Sequence, residues 1–338
     1  MPASSYAEYS VTRAMKALAI VIPAYKPDFF RAALESVAAQ TDVRYRVYVG
    51  DDAGPADIQR IAEEVAASGV DLTYHRFDEN LGRRSLAAHW NRCVSLSREP
   101  WVWLFSDDDL MAPHCVATLQ AELARADAPH VLRFDTEVID RRGKTLAVNP
   151  PHPASETGVD FIHARLEGRR NSYVVEYVFR REAFDRSSGF PDYPLAWCAD
   201  DVAWYDFSRG SEIRTLRGAK IRWRASGLNI TDAKRKNQRE KLEAGARFLR
   251  FVRDVVEPSD TSSRRSAEDW RRARERWWID QVRYLMPVGP RLWPAVMRSA
   301  EGVWGRGPAR KLLTLGAWNA IASFRLGRGV VRRALQPR

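Results

Sequence analysis

Cysteine is scarce in this chain: the 338 residues hold three, Cys93, Cys115 and Cys198. They are odd in number, widely separated and form no CxxC pair. That excludes a disulfide framework and fits a reducing compartment. Long apolar runs are missing too. The first, Ala17–Ile22, has strand length, and no uninterrupted run reaches the roughly 20 residues that span a bilayer. Residues 1–16 mix Ser, Tyr, Glu and Arg around no apolar centre, so they do not read as a secretory signal. These absences predict a cytoplasmic protein. No internal repeat is evident, and the six histidines show no zinc-ligand spacing.

What is present is ordinary for a globular chain, with 45% hydrophobic and 29% charged residues and no disordered bias. The length allows one large domain with an appendage, or two modest domains. The net charge of +11 suggests nucleic acid until it is mapped. Residues 264–338 carry 17 basic and 5 acidic side chains, so the excess lies in that segment and the body is near neutral.

The first 135 residues alternate short apolar runs with helical patterns, which predicts βα units and a mostly parallel sheet. Strands are expected at Ala17–Ile22, Tyr45–Val49, Leu72–Phe77, Trp101–Phe105 and His130–Phe134. Helices are expected at Phe29–Gln40, Ile58–Ala67, Ser85–Leu96 and Pro113–Ala126. The middle is less regular, with a short helix at Asp160–Leu166, an alternating strand at Ser172–Phe179, a helix running to Phe207 and a late strand at Ile221–Arg224. Lys234–Val256 reads as an exposed helix and Glu257–Ser263 as a linker. The fold class is therefore α/β, a mixed, mostly parallel sheet flanked by helices with a C-terminal helical extension. The expected division is a main domain over 1–232, in two halves at about 17–113 and 114–232, then a basic, Trp-rich helical tail over 233–338.

In open α/β sheets, ligands bind at the carboxyl ends of the strands. Asp51-Asp52 follows one expected strand and Asp107-Asp108-Asp109 another, so both groups are expected on one rim. Clustered carboxylates repel unless a cation compensates. Hard oxygen ligands suit Mg2+ or Mn2+, which bind through one or two carboxylates plus substrate phosphates. The alternative is that these aspartates cap helices or form turns.

Ile20-Val21-Ile22-Pro23-Ala24-Tyr25, Ser36 to Gln40 and Val49-Gly50-Asp51-Asp52 resemble the opening of family 2 glycosyltransferases of the GT-A fold, of the bacterial cell-surface polysaccharide type. Asn80-Leu81-Gly82, Asn91 and Phe105-Ser106-Asp107-Asp108-Asp109 continue that pattern in order, strongly from Ala17 to Pro113 and more loosely to Asp232. The resemblance implies metal-dependent, inverting transfer of a sugar from a nucleotide-diphosphate donor to an acceptor hydroxyl. It implies that Pro23 and Tyr25 line the nucleotide pocket and that Asp52 hydrogen-bonds the base. Asp107 would meet ribose or metal, and Asp108 would hold the metal, with Asp109 the third carboxylate of the set. Two departures stand out: Ser106 where the family often has Asp, and Lys26 for a common Asn. The family places a catalytic base near Asp200-Asp201, and Asp201 matches best; a helix cap is the bland reading of either. Asn80 to Arg84 would bring Arg83 toward the phosphates or simply start a helix. Trp223-Arg224, Ser226 and Asn229-Ile230-Thr231 resemble a segment that closes over the donor. Most of the six histidines read as core or surface residues, with acceptor contact the alternative for His152 and His163 in the variable middle.

The tail holds six of the twelve tryptophans, and its run Leu312 to Phe324 carries no charge. Basic and Trp-rich helices suit an anionic membrane surface. That would set the enzyme at the inner face of the plasma membrane, beside a glycan or lipid-linked acceptor. Packing on the body or a homo-oligomer interface is the alternative. Three other readings compete, one of them a catalytically dead relative serving as a scaffold, which intact Asp52, Asp107–Asp109 and Asp200–Asp201 disfavour. A Rossmann-type nucleotide-binding protein lacks its GxGxxG after the first strand, and a nucleic-acid-binding protein is disfavoured by the neutral body.

Overall fold

The computed structural model describes residues 16–55, 57–230 and 236–304. The chain begins with β1 (Leu18–Ala24), α1 (Phe30–Ala38), β2 (Tyr45–Asp51), α2 (Asp57–Ala67), β3 (Leu72–Arg76), α3 (Leu86–Val94) and β4 (Trp101–Leu104). A short β5 (Leu110–Met111), α4 (Cys115–Leu123) and the long β6 (Val131–Ile139) follow. Then come β7 (Thr145–Val148), β8 (Ser155–Glu156), α5 (Gly158–Leu166), β9 (Tyr177–Arg180), α6 (Arg181–Arg186), α7 (Ala199–Phe207) and β10 (Ile213–Arg224). Four helices end the described chain: α8 (Gln238–Phe251), the single turn α9 (Glu257–Ser259), α10 (Ala267–Leu285) and α11 (Trp293–Trp304).

All ten strands join one sheet, in the order β3-β2-β1-β4-β9-β6-β10-β5, with β7 on β6 and β8 on β10. The first half is parallel, β1 pairing with β2 and β4, and β2 with β3. Beyond β4 the sheet is mixed, because β9 runs antiparallel to both β4 and β6 while β10 runs parallel to β6. The chain leaves β1 toward β2 and later returns to its other side as β4. Their carboxyl ends therefore flank the point where strand order reverses, the place where such sheets open a crevice.

Side chains alternate across the sheet, and both faces are covered. On β1, Leu18, Ile20 and Ile22 enter one core with α1, α2 and α4, while Ala19 and Val21 enter the other. That second core contains α3, α5 and α7 together with Leu242 and Phe248 of α8 and Trp270, Trp277 and Trp278 of α10. The expected exposed helix at Lys234–Val256 is thus half right. Leu242, Ala246 and Leu249 recur at helical spacing on α8 and are buried, a stripe masked in the sequence by the surrounding charge. Ser172–Phe179 also differs from the expected strand: Val174–Glu176 forms a 3-10 turn before β9 begins. The late strand is longer than expected, since β10 starts at Ile213 and bulges between Leu216 and Lys220. Among the described residues no helix is long and apolar enough to cross a membrane. Leu312 to Phe324, Trp318 and Thr231 lie outside the described residues.

Candidate active site

A cleft of about 610 Å³ opens at the carboxyl ends of β1, β2 and β4. Ten of the residues singled out from the sequence line it: Pro23, Tyr25, Asp52, Asn80, Arg83, Asp107, Asp108, Asp109, Asp200 and Asp201. His152 and His163 do not. His152 is buried against Glu176, and His163 packs edge-on against Trp270 at 4.9 Å. Burial lowers the proton affinity of both, so they are uncharged core groups and not acceptor contacts.

Strand parity separates Asp51 from Asp52. Val47 and Val49 face the core beneath α1 and α2, and Asp51 continues that row. Its carboxylate takes the Gly54 N–H at 2.7 Å, the Tyr74 hydroxyl at 2.5 Å and the Arg76 guanidinium at 2.7 Å. It fastens the loop after β2 and is absent from the cleft lining, which corrects the expectation that both aspartates share one rim. Asp52 faces the cleft. Its oxygens accept from Leu81 N at 2.8 Å and Gly82 N at 2.9 Å, and Arg92 donates to the same group. The Asn80-Leu81-Gly82 turn is thus the device that aims Asp52. Gly82 is required by contact, because a Cβ there would lie 2.6 Å from Asp52 Oδ2.

The triplet after β4 divides its work. Asp107 accepts two backbone N–H groups through Oδ2, from Tyr25 and Lys26, each at 3.0 Å. This ties the β4 loop to the end of β1 through Oδ2 alone. Asp108 is half-buried; Ser106 Oγ lies 2.9 Å from its Oδ1 and Ser226 Oγ 3.4 Å from its Oδ2. Asp109 is buried and accepts Arg224 N at 2.6 Å and Ser106 Oγ at 2.7 Å. Arg224 also donates from Nε to Asp108 O and from Nη1 to Asp140 O and Arg141 O. It clamps the loop from the end of β10. Burial, reinforced by the charge of Asp108, pushes Asp107 up to about 6 and Asp109 well above the usual carboxylate range. Burial raises Asp108 as well. One hydroxyl proton on Ser106 cannot satisfy two carboxylates, so the cluster is short of positive charge. Among the described residues no set of three His, Cys, Asp or Glu side chains is gathered to hold an ion alone. Asp107 and Asp108 fit the other kind of site, in which one or two carboxylates and a diphosphate share the cation.

The second pair stands at the start of α7. Leu195, Ala196 and Cys198 all adopt positive φ, at 61°, 52° and 64°. Three left-handed non-glycine residues within four positions are costly, and such strain gathers where function fixes a conformation. The strained turn lines the cleft and delivers the helix start to it. Asp201 is buried and held bidentately by Arg165 of α5, at 2.9 and 3.0 Å. Among the described residues no cation forms an ion pair with Asp200, and Arg165 acts on it only from its place on Asp201. Burial, and next the charge of Asp201, push it up to about 7. Sequence reading missed Arg165, which nothing in its neighbourhood marks, and it missed Trp277 and Gln281 of α10, which also line the cleft. Lys26, the departure from the family pattern, donates Nζ to Leu228 O at 3.1 Å and so ties the segment after β10 across the cleft, where Trp223, Asn229 and Ile230 contribute lining.

The model of the family described as Glycosyl transferase family 2 matches residues 19–161. Among solved structures, TarS 1-349 of S. aureus in complex with UDP is 15% identical with a TM-score of 0.50, over 85% of this chain and 88% of that one. The mannosyltransferase PcManGT from Pyrobaculum calidifontis, solved with GDP-Man and Mn2+, is 14% identical with a TM-score of 0.54, over 93% and 86%. GalNAc-T7, solved with UDP, GalNAc and Mn2+, is 11% identical with a TM-score of 0.51, over 72% and 49%. At these identities the likeness is one of fold. No curated protein matches the chain by sequence. Family match and fold agree with a cleft at the strand-order reversal: residues 19–161 match the model of glycosyl transferase family 2, and the chain shares the GT-A fold of these solved glycosyltransferases.

Proposed function

We propose that the enzyme moves a sugar from a nucleoside-diphosphate donor to an acceptor hydroxyl with inversion at the anomeric carbon, using Mg2+ or Mn2+. The observation that carries this reading is the meeting of Asp52, Asp107, Asp108 and Asp200 in one cleft. Asp52 receives the nucleobase, with Pro23 and Tyr25 beside it and Asn80 and Arg83 at the rim. Asp107 and Asp108 would hold the ion, which when bound offsets charge developing on the leaving diphosphate. Asp109 keeps the loop in place through Arg224 and Ser106 and does not itself bind the ion.

Asp200, in preference to Asp201, is assigned as the general base. A base works best with a proton affinity near the operating pH, and Asp200 sits at about 7. Its carboxylate takes the proton of the acceptor hydroxyl while that oxygen bonds to the anomeric carbon. The bond from that carbon to the diphosphate oxygen breaks on the opposite face, and the pair of electrons leaves with the diphosphate. Asp201, already gripped by Arg165, orients the helix start.

The surroundings we propose are the inner face of the plasma membrane and the assembly of cell-surface polysaccharide or glycolipid. The excess of basic side chains in residues 264–338 supports attraction to anionic lipid. The direct test of the catalytic reading is thermal stabilisation by a panel of UDP- and GDP-sugars with and without Mn2+. One donor class should raise the midpoint strongly and only with the ion; an unmoved midpoint across the panel would sink the proposal.

A further inference from the structure

The cleft has a wall that neither the donor groups nor the base uses. Trp90 of α3, Leu195 and Trp197 of the strained turn, and Trp277 and Gln281 of α10 form it. The wall is continuous with the base, since Trp197 precedes Asp200 by three residues. Trp197 is fixed in orientation. Its ring stacks on Tyr284 at 6.0 Å and 25°, with Lys241 Nζ 4.8 Å from its centroid. Yet among the described residues its indole N–H is buried without a hydrogen-bond partner, a rare omission in a folded interior. The half-buried Gln281 amide likewise has no hydrogen-bond partner among the described residues.

The cations near this wall are committed elsewhere. Arg165 holds Asp201, Lys26 holds Leu228 O, and Lys241, outside the lining, donates to Ile230 O at 2.8 Å. Arg83 gives only its backbone N–H to Asn80 Oδ1, and its guanidinium is the one placed above at the rim of the donor site. A phosphorylated or carboxylated acceptor would need a free guanidinium or ammonium here. Indole rings beside an unpaired amide and an unpaired N–H suit a different ligand, one with apolar C–H faces and neutral hydroxyls around its edge. We propose that this wall binds the acceptor, that the acceptor is a neutral pyranoside, and that Trp197 and Gln281 are acceptor-binding residues that set this preference. The proposal rests on the glycosyltransferase reading above.

The test offers the full chain Mn2+ and UDP- and GDP-sugars as donors. The competing acceptors are p-nitrophenyl pyranosides, glycerol phosphate, ribitol phosphate and a serine-threonine peptide. Transfer should go to a pyranoside. Trp197→Phe keeps an aromatic ring against Tyr284 while removing the pyrrole ring and its N–H, so it should fold. It and Gln281→Ala should each raise KM for that pyranoside roughly fivefold, the worth of one hydrogen bond, while donor KM moves by less than about twofold. A merely structural role would leave the acceptor KM alone. Transfer to a phosphate or peptide acceptor, donor hydrolysis with transfer to no pyranoside, or an acceptor KM unmoved in both variants would overturn the proposal and leave the glycosyltransferase reading standing. If no donor is hydrolysed or transferred at all, that reading falls and takes this one with it.

Discussion

Asp200 and Asp201 are neighbours in the chain but sit in different electrostatic surroundings, and the difference can be measured. Because Asp200 must be ionised to accept a proton, log kcat/KM should climb with pH and level off above about 7. A limb that instead bends near the usual carboxylate value would move the base elsewhere. The stability effect has the opposite sign. The folded protein holds the Asp200 proton up to about 7, whereas the unfolded chain releases it near 3.8. Its contribution is therefore complete below 3.8 and is lost as pH rises through 7. Asp200→Asn should abolish transfer, keep donor binding by calorimetry, and raise the thermal midpoint more at alkaline than at acidic pH. Asp201→Asn should instead weaken the fold by about 3 kcal/mol, because it breaks a buried ion pair and strands Arg165. Equal behaviour of the two variants would remove the distinction. The sequence could point to this pair but not rank its members, since the ranking is made by an arginine 36 positions away on another helix.

Between elements, what aims the carboxylates is a set of backbone amides and one glycine. Gly82→Ala would drive a methyl group to 2.6 Å from Asp52 Oδ2, so either the turn or the carboxylate must shift. Donor affinity should fall by about tenfold or more, as expected when an amide no longer reaches a charged acceptor. A donor Kd unchanged in that variant would show that Asp52 needs no such support. The strand ends were legible because apolar runs stop at Asp51 and at Ser106. The opposite facing of Asp51 and Asp52 was legible as well: successive residues of an extended strand face opposite sides, so two aspartates at the end of β2 should part. Reading them as one group neglected that alternation. The clamp by Arg224 could not be read, because it depends on β10 returning beside the β4 loop, a pairing fixed by tertiary structure.

At the scale of the whole molecule, the helices after β10 are part of the second core. Trp270, Trp277 and Trp278 are buried, and Trp278 donates its indole N–H to Ser299 Oγ at 2.9 Å, joining α10 to α11. Composition revealed the tryptophans and the charge but not which face would be covered, since Arg and Trp alternate along α10 with both kinds of surface present. Trp278→Ala should cost about 3–5 kcal/mol, seen as a lowered denaturation midpoint. Deleting 264–338 should likewise strip the core and unfold the chain, so it cannot report on membranes. Deleting 305–338 keeps those tryptophans and should still reduce sedimentation with anionic vesicles; undiminished sedimentation would refute the lipid proposal. The central claim, that aspartates from separate strand ends grip one cation and one diphosphate, is tested most directly by calorimetry of the selected nucleotide sugar with and without Mn2+. Wild type should bind tightly only with the ion, and Asp108→Ala should fold normally yet lose at least about a hundredfold in affinity and all dependence on Mn2+. Tight, Mn2+-dependent binding that survives in Asp108→Ala would contradict it.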